Sequence, residues 1–149
     1  MSTLKDYVYL AGPIEDVNME DMIAWRREAA DILLYNKIDC LDPTRRIAFH
    51  TQLQGVVGDQ IRTMNVCRRI FKQDMQDIAD SRVVLADIRR SSGRGTGTSM
   101  ELMFAHTENK IIILWADPED KPHPFINSVA TEIHYTLEEA CEAIKDYYT

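Results

Sequence analysis

Glu101 is the residue whose neighbours most suggest chemistry. It stands in Gly93-Arg94-Gly95-Thr96-Gly97-Thr98-Ser99-Met100-Glu101-Leu102-Met103-Phe104-Ala105, directly after the apolar run Val83-Val84-Leu85-Ala86-Asp87. The pattern predicts a flexible small-residue loop at the carboxyl end of a buried strand, then an apolar helix carrying one glutamate in its first turns. A carboxylate among apolar neighbours costs free energy unless it is hydrogen-bonded or used. A second acid, Asp74, lies in Phe71-Lys72-Gln73-Asp74-Met75-Gln76-Asp77-Ile78-Ala79-Asp80. On pattern alone Asp74 reads, like Asp77 and Asp80, as a solvated helix acid. Two carboxylates from neighbouring strand ends are nevertheless what glycosidic chemistry needs, one to attack or stabilise the anomeric carbon and one to handle the leaving group's proton. The residues by themselves lead to a two-carboxylate small-molecule site.

The elements that must position these acids alternate along the chain. Tyr7-Val8-Tyr9-Leu10-Ala11 reads as a strand ended by Gly12-Pro13, and Met19 to Asn36 carries Met22, Ile23, Trp25, Ala29, Ile32 and Leu33 at helical spacing. Ile38 to Leu41 reads as a short second strand closed by Asp42-Pro43, and Thr44 to Gly58 as a long loop or active-site lid. Helical spacing returns from Asp59 to Asp80, followed by a strand Arg82 to Asp87, a helix Thr98 to Asn109 and a strand Ile111 to Trp115. A Pro-rich loop, a short helix-like stretch, an edge strand Ala130 to His134 and a helix capped at Thr136 complete the chain. Alternating strands and helices predict a doubly wound α/β fold with a parallel sheet of about five strands and helices on both faces. Ligands of such sheets bind beyond the carboxyl ends of the strands, so Leu10–Ile14, Asp87–Ser99 and Ala116–Asn127 are expected on one rim. The glycines of the middle segment fit either a phosphate-binding loop or a plain turn; they lack the Gly-Lys-Ser/Thr ending of a P-loop.

With 149 residues, 45% of them hydrophobic and 28% charged, the chain is expected to form a single soluble domain over 1–149. No run approaches the roughly 18 apolar residues of a membrane span, and the start lacks a signal-peptide pattern, which predicts a cytoplasmic protein without a membrane partner. A net charge of −7 argues against nucleic acid as a partner while leaving room for a small nucleoside in a local pocket. Cys40, Cys67 and Cys141 are too few and too scattered for a disulfide framework and read as buried thiols. His50, His106, His123 and His134 are scattered too, so no metal site is expected. The 7 methionines, 6 tyrosines, 4 phenylalanines and 2 tryptophans are more than a core this small must use, and surplus apolar surface predicts a homo-oligomer.

Tyr9-Leu10-Ala11-Gly12-Pro13-Ile14, then Asp74 with Ile78-Ala79-Asp80-Ser81 before a Val-rich strand, then Gly97-Thr98-Ser99-Met100-Glu101-Leu102-Met103-Phe104-Ala105, together resemble the nucleoside 2-deoxyribosyltransferase family. The likeness runs from Tyr7 to about Ala143, and its specificity lies in the order and spacing of short motifs. The resemblance implies a flavodoxin-like fold that transfers a deoxyribosyl group between nucleobases without a cofactor, with nucleosides and nucleobases as its small-molecule partners and a homo-oligomer as its form. Glu101 matches the nucleophile, Asp74 the acid that contacts the leaving base, and Tyr9 an aromatic near the site. Substrate contacts are expected from Gly12, Pro13, Asp87, Gly95, Gly97 and Ser99. His123 and Asn127 fall where such proteins complete the pocket from a neighbouring subunit. Where many transferases carry an acid shortly before the motif's glycine, this chain has Arg94-Gly95-Thr96-Gly97. The same fold includes nucleoside 5′-monophosphate N-glycosidases, and Arg89, Arg90 and Arg94 suit either phosphate recognition or a solvated basic turn. A non-catalytic nucleotide sensor of the same fold is the third reading.

Overall fold

Five parallel strands stand in the order β2-β1-β3-β4-β5. The structure is a computed structural model and describes residues 7–13, 19–46, 60–89 and 95–148. The strands are β1 (Tyr7–Ala11), β2 (Cys40–Leu41), β3 (Ser81–Asp87), β4 (Ile111–Trp115) and β5 (Glu132–His134); the helices are α1 (Met19–Tyr35), α2 (Gln60–Ala79), α3 (Thr96–Thr107), α4 (Pro124–Val129) and α5 (Leu137–Lys145). This order is the flavodoxin-like one, with its topological switch between β1 and β3. Tyr9 pairs with Val84, Ala11 with Ala86, and Asp87 with Trp115, so the carboxyl ends of β1, β3 and β4 finish side by side.

Period-two alternation sorts the strand residues onto two faces. Val8, Leu10, Val83, Leu85 and Ile113 face one way and bury Trp25, Ala29 and Leu33 of α1 with Leu137, Ala140, Cys141 and Ile144 of α5. Tyr9, Ala11, Val84, Ala86, Ile112 and Leu114 face the other way, against Ile78 of α2 and Leu102 and Ala105 of α3. The central strands are buried on both faces, which is why they read as continuous apolar runs. The α5 start follows its expected cap: Thr136 accepts a hydrogen bond from the Glu139 N–H at 3.1 Å, with Glu138 and Glu139 in the first turn.

Most expected elements lie where their patterns put them. β2 is shorter than Ile38 to Leu41, because Ile38 is taken by the end of α1, where its N–H bonds to Leu33 O around a positive-φ Lys37. The expected 44–58 loop starts with a 3₁₀ turn, Pro43–Arg46; residues 47–59 lie outside the described residues, as do Ile14, Arg90 and Arg94. No helix among the described residues is long and apolar enough to cross a membrane.

Gly12, where the chain leaves β1, is held by close approach. A Cβ there would sit 3.0 Å from the Trp25 ring, 3.2 Å from an Arg26 guanidinium nitrogen and 3.4 Å from Asp87 Cβ. Gly97, inside α3, has nothing within 4 Å of such a Cβ. Gly12→Ala is therefore expected to destabilise the fold by about 1–3 kcal/mol through overpacking. Gly97→Ala should be neutral or stabilise it by up to about 1 kcal/mol. Thermal denaturation of both variants checks the contrast, and equal effects would contradict it.

Candidate active site

The sheet carries two features of interest, a desolvated carboxylate cluster and, at its rim, a cavity. The cluster forms where β1, α2 and α3 meet. Tyr9 is fully buried, and its hydroxyl donates a short hydrogen bond to Glu101 Oε2. Asp74, on the last turns of α2, is nine-tenths buried and close enough to oppose ionisation of both Tyr9 and Glu101. Asp77, one turn further along α2, is tied to Arg45 of the 3₁₀ turn at 2.6 Å.

Burial is the main reason the Glu101 carboxyl titrates far from its ordinary range, pushed up to about 8. The Tyr9 hydroxyl favours the ionised form, Asp74 disfavours it, and Arg26 again favours it. The Tyr9 phenol is itself driven upward, first by burial and then by the Glu101 charge, so it remains a donor over the ordinary pH range. Such displaced acids concentrate at functional sites.

Helical spacing explains the placement of Glu101. Thr98, Leu102 and Ala105 form the buried stripe of α3, and Glu101 lies at its edge, three residues after Thr98 and so on the same side. Its apolar neighbours are less enclosing than the sequence suggests, since Met100 and Met103 stand about half exposed on the outer face of the helix. The carboxylate is desolvated by the sheet and α2, with those methionines outside.

The cavity measures about 340 Å³; Tyr9, Asp74 and Glu101 are not among the residues that line it, and Leu102, next to Glu101 in α3, is. Pro13 after β1, Asp87 and Ile88 after β3, Gly95, Thr98, Ser99 and Leu102 of the α3 start, and Lys121, Pro122, His123 and Ile126 after β4 line it. All three segments expected on the rim contribute to it. Of the expected substrate-contacting residues, Pro13, Asp87, Gly95, Ser99 and His123 line it, while Gly97 and Asn127 do not. Gly12 acts from beneath, through the tight packing described above.

Local bonds show what several of these residues are already used for. Asp87 holds Arg89 through two side-chain bonds, Nε to Oδ1 at 2.9 Å and Nη2 to Oδ2 at 3.0 Å, and accepts the Arg89 N–H at 3.1 Å. The Arg89 guanidinium lies 3.6 Å from the centre of the Trp115 ring, so of the three arginines noted near the loop this one is turned onto the protein itself. His123 caps α4, its Nδ1 accepting the Phe125 N–H at 3.1 Å. Thr98 Oγ1 is buried without a hydrogen-bond partner, at the cavity wall in the first turn of α3. Buried hydroxyls are rarely left so, and one at a ligand cavity marks a donor in reserve.

Two features lay beyond the sequence reading. Arg26, fully buried in α1, breaks a stripe that the periodicity fills with apolar residues, and its i, i+4 relation to Met22 was the only hint. Lys121 joins the cavity from the Pro-rich loop, where a lysine carries no pattern. Among the described residues no group of three or more His, Cys, Asp or Glu is arranged to hold a metal ion.

No protein-family model matches the chain, and no curated protein sequence matches it. Solved structures do. A 2-deoxyribosyltransferase from Bacillus psychrosaccharolyticus superposes with a TM-score of 0.67 at 19% identity, over 89% of this chain and 88% of that one. A CMP N-glycosidase from Clostridium botulinum gives 0.55 at 13% identity, over 95% and 99%. A 2-deoxyribosyltransferase from Leishmania mexicana gives 0.51 at 16%, over 83% and 70%. The chain shares the flavodoxin-like fold of these enzymes.

The displaced acidity of Glu101 carries a stability signature. Its folded pKa of about 8 stands above the ordinary 4.5 of an unfolded chain, so its contribution to stability is complete below about 4.5 and is lost as pH rises toward 8. Glu101→Gln cannot ionise. The variant's melting temperature relative to wild type should therefore rise between pH 5 and pH 8.5, and a difference independent of pH would contradict the burial described here.

Proposed function

We propose that this protein cleaves the N-glycosidic bond of a 2′-deoxynucleoside and transfers the deoxyribosyl group to a second nucleobase, with Glu101 as nucleophile. The observation that carries the proposal is the desolvated Glu101 carboxyl, held by the Tyr9 hydroxyl and opposed by Asp74, on a helix whose Thr98, Ser99 and Leu102 line a cavity at the carboxyl ends of the strands. The fold shared with two 2-deoxyribosyltransferases supports it, as do the sequence motifs.

In the first step a Glu101 oxygen attacks C1′ while the C1′–N bond breaks and its electron pair leaves with the base nitrogen. Asp74 handles the proton of the departing base. The product is a glycosyl ester on Glu101 with inverted configuration. In the second step an acceptor base nitrogen attacks C1′ from the vacated side, the ester electrons return to Glu101, and overall configuration is retained. Tyr9 keeps its hydroxyl on the carboxylate throughout, orienting it and dispersing its charge. No metal or organic cofactor enters these steps. We further propose that the enzyme works as a homo-oligomer, since Met100, Met103 and Phe125 are exposed apolar side chains that a second copy would cover.

A second reading, hydrolysis of nucleoside 5′-monophosphates, is favoured by one observation. Thr98 Oγ1 is unpartnered in the first turn of α3, beside a cavity that Lys121 also lines. A helix N-terminus with a free hydroxyl and a nearby ammonium suits an anion. Thr98 precedes Glu101 by three residues, a rise of about 4.5 Å along the helix.

Two experiments test these proposals. Glu101→Gln should lose at least about a thousandfold in kcat. The wild-type kcat/KM should rise with pH up to about 8, because only ionised Glu101 attacks; a limb near 4.5, or an active Gln variant, would remove Glu101 from the role. Asp74→Asn should slow substrates with basic leaving groups more than activated ones and should move that limb to lower pH. The reaction type is read by supplying deoxyinosine with free adenine and, separately, deoxynucleoside monophosphates, then separating the products. Transfer predicts deoxyadenosine from the first mixture. A far higher kcat/KM on monophosphates, with deoxyribose phosphate formed whether or not a base is added, would establish the hydrolytic reading instead.

A further inference from the structure

Arg26 is the one fully buried cation among the described residues, and the proposed steps leave it without a task. It projects from α1 to the carboxyl end of β1. There its Nε donates to Leu10 O at 3.2 Å and its Nη2 to Gly12 O at 2.9 Å, while Nη1 turns back to Met22 O at 3.0 Å. The nearest carboxylate oxygen, Asp42 Oδ1, is 3.8 Å from Nε, and that side chain is a quarter exposed. The guanidinium carbon lies 4.7 Å from the centre of the Trp25 ring. Burying a charge on carbonyls and one distant acid is costly, and a methionine would continue the Met22, Trp25, Ala29, Leu33 stripe at less expense.

What the charge gains there is its surroundings. Tyr9 of β1 and Asp87 of β3, Asp42 after β2, and Glu101 of α3 all feel the guanidinium, and each is an acid or a phenol. Facing Glu101 are Tyr9, Asp74 and Asp77, with Arg45 engaged on Asp77, so Arg26 is the buried positive group on that side. The two β1-end carbonyls it holds belong to Leu10, next to Tyr9, and to Gly12, where the loop turns to the cavity.

We propose that Arg26 is a positioning residue for the Glu101 carboxylate: its fork fixes the end of β1 just beyond Tyr9, whose hydroxyl holds Glu101, and brings a buried positive charge to that end of the sheet. The inference rests on the proposed role of Glu101, and its test is partly independent of turnover. Glu101 is titrated by side-chain carboxyl NMR in wild type, Arg26→Gln and Arg26→Lys, beside pH profiles of kcat/KM and thermal melts. Arg26→Gln removes the charge and keeps a donor, so the Glu101 midpoint and the acid limb should move up together by about one unit. Arg26→Lys keeps the charge and loses the fork, so the midpoint should stay near wild type while kcat falls about tenfold or more.

An unmoved midpoint in folded Arg26→Gln overturns the electrostatic half, and wild-type kcat in Arg26→Lys overturns the positioning half. A chain that folds with neither substitution makes Arg26 a purely structural residue and overturns both. An active Glu101→Gln would overturn the reaction proposed above, while the NMR midpoints would still judge Arg26.

Discussion

The hydrogen bond from Tyr9 to Glu101 constrains more of this molecule than any other contact. A carboxylate withdrawn from water is tolerable only with a donor of matching reach, and here the donor comes from the middle of β1 while the acceptor comes from the second turn of α3. The bond exists only if β1 lies beside β3 and α3 packs over the face of the sheet that carries Tyr9. The strand order β2-β1-β3-β4-β5 meets the first condition, and the packing of Leu102 and Ala105 of α3 with Tyr9 meets the second, while Gly12 lets the end of β1 approach Trp25, Arg26 and Asp87 closely.

The two faces of the sheet divide the labour. Against α1 and α5 the sheet is covered by aliphatic residues, two tryptophans 5.9 Å apart and a buried cysteine, and this face supplies stability with little polarity. Against α2 and α3 the strands carry Tyr9 among small and branched residues, and the helices bring Asp74, Asp77, Thr98 and Glu101. Buried polar groups cost most when incompletely paired. Most of them gather on this one face; an exception is Arg26 of α1, whose guanidinium is paired with Leu10 O and Gly12 O at the carboxyl end of β1.

How far this was legible in the sequence follows the same physics. Strands buried on both faces announce themselves as apolar runs, so β1, β3 and β4 and the rim they share could be read directly. Glu101 was legible because a lone acid in an apolar helix contradicts its surroundings. Asp74 was not, because Asp77 and Asp80 give it the look of a solvated face; only tertiary packing against Tyr9 and Glu101 distinguishes it, and the family resemblance had to single it out. Arg26 was hidden for the opposite reason. Periodicity assigns a burial position by its neighbours, and an arginine in a buried stripe looks like a surface residue slightly out of phase. Thr98 was hidden as well, since an unpaired hydroxyl is a property of the folded state alone.

The desolvation of Glu101 has a direct bearing on the proposed reaction. A carboxylate solvated by water gains little when positive charge appears nearby, because its shell already stabilises it and must reorganise. In a buried site the ionised form is raised in energy, which pushes the carboxyl up to about 8, and the group that replaces water on it is a fixed phenol. Positive charge developing at a sugar C1′ is then met by a carboxylate whose attraction is undiminished by solvent. The stabilisation lost in the empty site is recovered in the transition state, which is where it raises kcat. Too much donation to the carboxylate would stabilise it equally before substrate binds and cancel the gain; too little would leave Glu101 protonated at working pH. With its carboxyl pushed up to about 8, Glu101 is mostly protonated at neutral pH, so the proposed attack draws on an ionised fraction that the Tyr9 hydroxyl enlarges and that grows as pH rises.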